Sequence, residues 1–232
     1  MNYVGSELVL FQHARNWKRY FADHLRPFVH GRVLDVGCGM GVNAEYLLNE
    51  RVSSYTFLEP DPSLLAMVDE NVRSTVLVYA ERINGTTAHL PGRRFDSILY
   101  IDVIEHIEDG AAELQQAYDL LESGGHLLIV VPAFDFLFSP FDRALGHHRR
   151  YDKAMLRSQL PAGLEPIITE YLDSLGFFLS FGNKALLRKE LPSASQIRLW
   201  DCLVVPSSRV FDSLVMHAFG RSLVCVAYKP YR

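Results

Sequence analysis

Three cysteines, Cys38, Cys202 and Cys225, are all that the 232 residues contain. They are too few and too scattered for a disulfide framework or a zinc site built on clustered ligands, and a reducing cytoplasm is the expected compartment. An excess of charge of one sign is also missing: 23 basic side chains face 27 acidic ones, a formal net charge of −4. Phosphate neutralisation by a basic surface is thereby excluded as a global property, and no nucleic-acid partner is expected. The longest stretch without Asp, Glu, Lys or Arg runs from Ser123 to Phe134, short of the ~20 apolar residues that span a bilayer. No stable membrane insertion is expected, and the charged opening residues lack the apolar core of a secretory signal. Internal repeats and low-complexity tracts are absent too.

What remains is an ordinary globular balance, 49% hydrophobic and 22% charged residues, sufficient for one α/β core with additions, as a monomer or homodimer. Residues 6–26 place Leu8, Phe11, Trp17, Phe21 and Leu25 near helical spacing until Pro27, which predicts an amphipathic leading helix. Then follow RVLDV as a strand, a helix over about 42–50, and SYTFLE as a second strand, with Pro60 and Pro62 opening another helix. The third strand has two candidates: TVLVYA (75–80) has the better β composition, whereas ERINGTT (81–87) lies where the loop after the strand would be most useful. FDSILYID reads as a buried strand, AAELQQAYDLLE as a helix, and GGHLLIVVPA as a strand after a Gly-Gly turn. A short helix near 152–160, a strand EPIITEYL and a final strand SLVCVAYKP complete the order. Between the last two strands lies a helix-patterned insertion broken by Pro192 and Pro206.

Strand and helix alternation of this kind predicts right-handed crossovers and a Rossmann-like, doubly wound seven-stranded sheet with helices on both faces. It is expected to be mostly parallel with the last strand antiparallel. Ligands then bind at the carboxyl ends of the strands. The expected organisation is a single domain over 1–232, with an N-terminal helical extension over 1–30 and a helical insertion or lid over 173–221.

Three glycines stand in the stretch VLDVGCGMG, where Gly37, Gly39 and Gly41 follow the first strand and let a ligand approach the main chain. Asp35, two residues earlier, would repel a pyrophosphate and suits a positive or zwitterionic group. The dinucleotide pattern G-x-G-x-x-G needs glycine at 42, where the chain has valine, and this counts against a nicotinamide-dependent oxidoreductase. Glu59, at the end of the second strand, is placed to bind the two hydroxyls of a ribose. A ribose with a cationic tail describes S-adenosylmethionine.

VLDVGCGMG followed by FLEPD resembles motif I and the next acidic motif of class I S-adenosylmethionine-dependent methyltransferases. The resemblance implies that Asp35, Gly37, Cys38, Gly39 and Gly41 surround the methionine part, with Asn43 a further cofactor-binding residue. It places Glu59 on the ribose, Pro60 and Asp61 beside the adenosine, and Asp102 and Val103 where the chain passes the sulfonium and adenine. The family often has an acidic residue after the third strand; here Gly85, Thr86 and Thr87 stand instead, and Thr86 becomes the adenine-side candidate. S-adenosylhomocysteine would be the product.

Residues 100–109, YIDVIEHIED, are similar to the family's "EH" type of motif IV. If a helix starts here, Asp102 and His106 share a face. His106 then reads either as a base for a substrate hydroxyl or as a helix-start histidine that orders the loop. Glu105 and Glu108 read as helix N-terminal acids. In SPFDRALGHHRRYDK, His147 or His148 is a base candidate, Tyr151 a ring contact, and Arg149 and Arg150 are forks for an anionic acceptor. The alternative is that Asp142 and Asp152 pair with those arginines and brace the loop. Metal binding is not expected, because adjacent histidines point differently and no carboxylate cluster accompanies them.

GHHRRY, together with NWKRY, EPDP, LPSASQIRLWD and VVPSSR, is similar to a bacterial methyltransferase subgroup that looks associated with sugar and lipid-linked glycan metabolism. Phe177, Phe178 and Phe181 in the insertion read either as packing or as a lid over an apolar acceptor. The expected function is methyl transfer to a hydroxyl of a small molecule or a (lipid-linked) glycan. Nitrogen or carbon acceptors, and a non-catalytic S-adenosylmethionine-binding role, are the alternatives.

Overall fold

The computed structural model describes residues 11–73, 76, 78–182 and 193–231. Leu8 and Pro192, and most of the TVLVYA segment's centre, lie outside the described residues. Seven strands form one sheet: β1 (Gly31–Val36), β2 (Val52–Glu59), β3 (Ala80–Asn84), β4 (Phe95–Ile101), β5 (Leu121–Pro132), β6 (Glu165–Leu172) and β7 (Ser222–Tyr228). Their order is β3-β2-β1-β4-β5-β7-β6. The first five pair in parallel, and β7 enters antiparallel between β5 and β6. The chain order therefore reverses between β1 and β4, the switch point at which such sheets open a crevice at their carboxyl ends.

Strand alternation sorts the apolar residues onto two faces. Val33, Leu99, Leu128 and Val130 pack on one side under the leading helix α1 (Arg15–Leu25), with Trp17, Phe21 and Leu25 of that helix in the same core. Leu34, Ile98, Tyr100, Leu127 and Ile129 pack on the other side with Leu114 and Ala117. These last two belong to α5 (Gly110–Leu120). Four short helices lie between: α2 (Ala44–Leu47), α3 (Pro62–Ala66) and α4 (Val68–Asn71) before α5, and α6 (Pro140–Ala144) after it. Then come α7 (Lys153–Gln159), α8 (Ser174–Gly182), α9 (Ala194–Leu199) and α10 (Val205–Leu214), the last two joined by a π-helical turn over Trp200–Val204.

Three expectations change. The helix expected over 42–50 is a single turn, because Leu48 is already extended and the Asn49 side chain donates to the Val29 carbonyl at 3.0 Å, tying the segment back to the loop before β1. The third strand is Ala80–Asn84, which takes the last residue of TVLVYA and the first four of ERINGTT. Its pairing with Tyr55–Glu59 of β2 is what fixes it. The Gly124-Gly125 pair lies inside β5, where the register against β4 shifts, rather than ahead of it.

Among the described residues the insertion between β6 and β7 is mostly helical, and buried carboxylates fasten it. Asp212 accepts hydrogen bonds from the Tyr20 hydroxyl and the Asp173 amide, both at 2.7 Å, and from the amide and hydroxyl of Ser174. Asp173, held at φ 63°, accepts from the Trp200 indole and the Ser208 hydroxyl, each at 2.7 Å. Asp201 accepts from the Trp17 amide at 2.9 Å and the Asn16 amide at 3.2 Å, capping α1 from a distant part of the chain. Asp212→Ala would strand a phenol and two amides in a dry interior. We expect a loss of about 3–5 kcal/mol of stability, with Asp212→Asn less severe, as read by urea denaturation.

Candidate functional site

The crevice at the switch point is a cavity of about 1080 Å³, at the top of the range for small-molecule sites, which suits two ligands side by side. Its first half is built from the ends of β1, β2 and β3. Gly37, Gly39 and Gly41 all take left-handed backbone angles, which is why glycine stands at these three positions, with Cys38 and Met40 between them. At Gly37 a Cβ would also lie 2.8 Å from the Val103 side chain; at Gly41 it would meet Val72 and Phe57. Glu59 is buried, and its two carboxylate oxygens accept the Gly39 amide at 2.9 Å and the Asp61 amide at 3.0 Å. Burial raises its pKa, and these two amides oppose the rise. The Gly85 amide donates to the Glu59 carbonyl at 3.1 Å, which brings Gly85, Thr86 and Thr87 to the same rim.

Most of the cofactor-side residues expected from the sequence line this half: Gly37, Cys38, Gly39, Asn43, Glu59, Pro60, Asp61, Thr86, Asp102 and Val103. Asp35 and Gly41 lie behind the lining. Asp35 is buried and accepts the Tyr55 hydroxyl at 2.9 Å, so it supports the turn from beneath. Gly41 packs on α4 residues. Asn84 reaches across to the Glu59 carbonyl at 2.9 Å, a contact that sequence pattern alone does not reveal.

The second half is walled by Phe11, Trp17, Phe21, Phe141 and Trp200, with Lys18, Asp102, Glu105, His106, His147 and Arg221 among them. Arg221 lies 4.7 Å over the Trp200 ring, a cation–π contact. Burial pulls the Lys18 ammonium down to about 8 against the charges of Asp201 and Asp102. The helix expected from Asp102 does not form: Asp102 has φ 55°, and only a 3₁₀ turn over Ile104–His106 follows before α5. Both side chains still face the cavity, through the turn rather than through helical spacing. Burial, with the neighbouring histidines adding to it, lowers His106 to about 4, so the ring is neutral near pH 7.

Glu105 is not a helix N-terminal acid. It is fully buried, and neither carboxylate oxygen has a hydrogen-bond partner of acceptable geometry among the described residues. Burial, reinforced by the charges of Asp102 and Asp142, raises it well above the carboxylate range.

The GHHRRY segment divides its residues between bracing and facing the cavity. His147 Nδ1 lies 3.1 Å from Asp142 Oδ1, and the His106 and His147 rings meet edge to face at 4.6 Å. Arg150 spends both forks on Asp142, at 2.7 and 2.9 Å. Asp142 also accepts the Ser139 amide and hydroxyl at 2.8 Å. Burial opposes the charge on Asp142, but bonds from His147 and Arg150 outweigh it and hold the carboxyl well below the usual range. Arg149 is bonded to the carbonyls of Ile107 and Glu108, so it braces the loop rather than reaching the cavity. Asp152 caps α7 through the Met155 amide at 2.7 Å and pairs with neither arginine. Tyr151 is buried, with its hydroxyl 3.3 Å from the Ile104 carbonyl and from Gln159, and does not line the cavity. His148 is exposed and likewise outside the lining. Phe178 and Phe181 are half exposed and, with Phe177, lie away from the cavity.

A family model described as a methyltransferase domain matches residues 11–176, well over half of the chain. The chain belongs to this methyltransferase family. Among curated proteins, a ubiquinone biosynthesis O-methyltransferase of Dinoroseobacter shibae is 32% identical over 104 residues, covering 44% of this chain and 41% of the relative. A tRNA U34 carboxymethyltransferase of Shewanella piezotolerans is 26% identical over 121 residues, covering 51% and 36%. The chain thus spans less than half the length of the curated relatives it matches. Among solved structures, the N-methyltransferase NodS of Bradyrhizobium japonicum with S-adenosylhomocysteine superposes with a TM-score of 0.59, 14% identity and coverage of 95% and 88%. The [4+2]-cyclase SpnF superposes at 0.64 with 17% identity, covering 92% and 81%. Such likeness establishes the fold. No helix among the described residues is long and apolar enough to cross a membrane.

In this cavity, Lys18, Trp200 and Arg221 are residues that sequence pattern did not single out, and Glu105 was read only as a helix N-terminal acid. Each reaches the cavity only through tertiary packing, although the adjacent Glu105-His106 pair was a signal. Asp35 yields a pH test. Burial pushes its carboxyl up to about 7, and the bond from Tyr55 only partly offsets this. A carboxyl raised on folding contributes stability below its ordinary value, and that contribution is lost as pH rises through the folded value. We expect Asp35→Asn to gain stability relative to the parent, without added ligand, as pH climbs from about 4 to about 7 and to gain nothing more above it. The gain should approach 1.4 kcal/mol for each pH unit in that window, read by thermal unfolding.

Proposed function

We propose that the chain transfers a methyl group from S-adenosylmethionine to a hydroxyl of a compact acceptor held in the second half of the cavity. The observation that carries this reading is the division of one cavity into a glycine-loop half and an aromatic half that holds Glu105, His106 and His147. The residues fit the cofactor on three counts. The left-handed backbone angles at Gly37, Gly39 and Gly41 call for glycine and leave the main chain of the turn bare for a ligand to approach. Glu59 ends β2 with each oxygen on one backbone amide and lone pairs remaining for ribose hydroxyls. Acidic Asp35, Glu59 and Asp102 around the turn favour a cationic ligand over a pyrophosphate.

When bound, S-adenosylmethionine supplies a methyl group already activated by its sulfonium. Gly37, Cys38, Gly39 and Asn43 would hold its methionine part, Glu59 the ribose, and Pro60, Asp61 and Thr86 the adenosine side. The remaining work falls to orientation and water exclusion. Trp17, Phe21, Phe141 and Trp200 supply apolar walls, and Arg221 a fixed positive charge for an anionic or strongly polar substituent of the acceptor. The acceptor hydroxyl faces the His106–His147 pair, toward which its proton departs. The His147 ring is aimed by Asp142, which Arg150 fixes in turn. Curated relatives that include ubiquinone biosynthesis O-methyltransferases support oxygen over nitrogen or carbon as the acceptor atom.

Calorimetric titration tests the first step. The protein should bind S-adenosylhomocysteine and not NAD. Glu59→Gln, which presents an amide donor to a backbone donor, should weaken binding by about 1–3 kcal/mol, roughly 5- to 150-fold. Binding of NAD alone would end the reading. Release of S-adenosylhomocysteine with hydroxylated but not aminated acceptors would then support the oxygen assignment.

A further inference from the structure

From the donors that converge in the aromatic half of the cavity, we infer a divalent metal site formed by Glu105, His106 and His147. One ligand atom from each lies within 4.8 Å of the others, and all three residues line the cavity. At the outer limit of that spacing a central ion would sit roughly 2.8 Å from each donor, against about 2.0–2.2 Å in a closed zinc site. A side-chain movement of less than an ångström closes the difference.

Glu105 is the second, independent observation. It is 0% exposed, and neither oxygen has a hydrogen-bond partner among the described residues. An ionised carboxylate in that position lacks compensation, and protonation does not cure the defect, since the acid would bury an unpaired O–H and an unpaired C=O. A divalent ion satisfies both oxygens and the charge together.

Both histidines carry the supports that metal ligands characteristically have. The Nδ1 of His147 is held by the Asp142 carboxylate at 3.1 Å, which presents Nε2 to the cavity. The His106 ring bonds the Leu145 backbone, which selects its tautomer in the same way. Asp142 is itself fixed by Arg150 and Ser139, so the second layer is rigid.

Two imidazoles with one carboxylate favour the borderline ion Zn²⁺, with the harder Mn²⁺ second, over Ca²⁺, which takes six to eight oxygens. Three protein ligands leave at least one position open. The sequence offers His147 and His148 as an adjacent pair without a carboxylate cluster, which points away from a metal; the fold groups His147 with Glu105 and His106 instead.

The role assigned to the ion rests on the methyl-transfer reading above and replaces proton uptake by His106 and His147, whose ring nitrogens the ion would occupy. An acceptor oxygen bound at the open position loses its proton to solvent at neutral pH, because the ion stabilises the oxyanion. That oxygen then bonds to the methyl carbon as the carbon–sulfur bond breaks, and the bonding pair remains on sulfur as S-adenosylhomocysteine. An acceptor with two adjacent oxygen donors would chelate the ion and be preferred over its mono-hydroxy counterpart.

The test uses untagged full-length protein, stripped with a chelator and titrated calorimetrically with Zn²⁺ and with Mn²⁺, with S-adenosylhomocysteine titrated in parallel. We expect one ion per chain. Glu105→Gln and His147→Ala should each weaken it by more than about a hundredfold, beyond the 10- to 100-fold that loss of a supporting partner costs. Far-ultraviolet circular dichroism checks that the variants fold, and visible bands of the Co²⁺-loaded protein that vanish in His147→Ala report imidazole ligation directly. No uptake by the parent protein, or unchanged affinity in folded Glu105→Gln, overturns the site. Metal uptake without S-adenosylhomocysteine binding would uphold the site and remove the methyl-transfer role, whereas the reverse result removes the site alone.

Discussion

A carboxylate taken out of water must find donors or positive charge, and in this chain that requirement organises both the fold and the site. Asp173, Asp201 and Asp212 are buried and collect amides, hydroxyls and an indole from segments far apart in the sequence. Glu59 collects two amides from separate turns, and Asp142 collects an arginine fork, an imidazole and a serine. Every one of these is a point where two pieces of chain are held in register. Glu105 has the burial without the donors, which is why a cation is the natural completion of its surroundings.

The same carboxylates explain how distant segments reach the cavity. Asp201 caps α1 through Asn16 and Trp17, while Asp212 takes the Tyr20 hydroxyl from the next turn of that helix. Asp173, at the end of β6, receives Trp200 and Ser208. α1 and the helices between β6 and β7 therefore close on one another as a unit, and Trp17, Lys18, Trp200 and Arg221 come to line one wall. NWKRY, RLWD and VVPSSR, read separately in the sequence, turn out to be the two sides of these contacts.

How much of this was legible in the sequence follows from the range of the interactions involved. Strands β1, β2, β4 and β5, the glycine turn and the acidic end of β2 are set within short stretches of chain, and their patterns predicted them. β3 was ambiguous because composition favoured TVLVYA, whereas register against β2 selected Ala80–Asn84. The helix expected after Asp102 failed because Asp102 takes a left-handed angle that no spacing rule anticipates. In GHHRRY, residue type suggested several chemical groups, but the paired arginine and tyrosine are consumed by Asp142, Ile104 and Gln159. His147 and Arg150 both line the cavity, Arg150 with its fork held by Asp142 as the bracing alternative has it, and Arg149 braces through backbone carbonyls instead.

This difference in range also separates what fold neighbours can inform. The glycine-loop half is backbone geometry at the ends of adjacent strands, and the fold that carries those strands recurs in structures of 14–17% identity. The aromatic half is assembled from Lys18, Glu105, His147, Trp200 and Arg221, side chains drawn from nearly the full length of the chain. The family match ends at residue 176, ahead of Trp200 and Arg221. A neighbour's acceptor therefore carries little weight here, as a cyclase and an N-methyltransferase on the same fold already illustrate. The acceptor has to be sought through the chemistry of this wall: a stacked guanidinium, aromatic faces, and three donors arranged around a point that a cation would occupy.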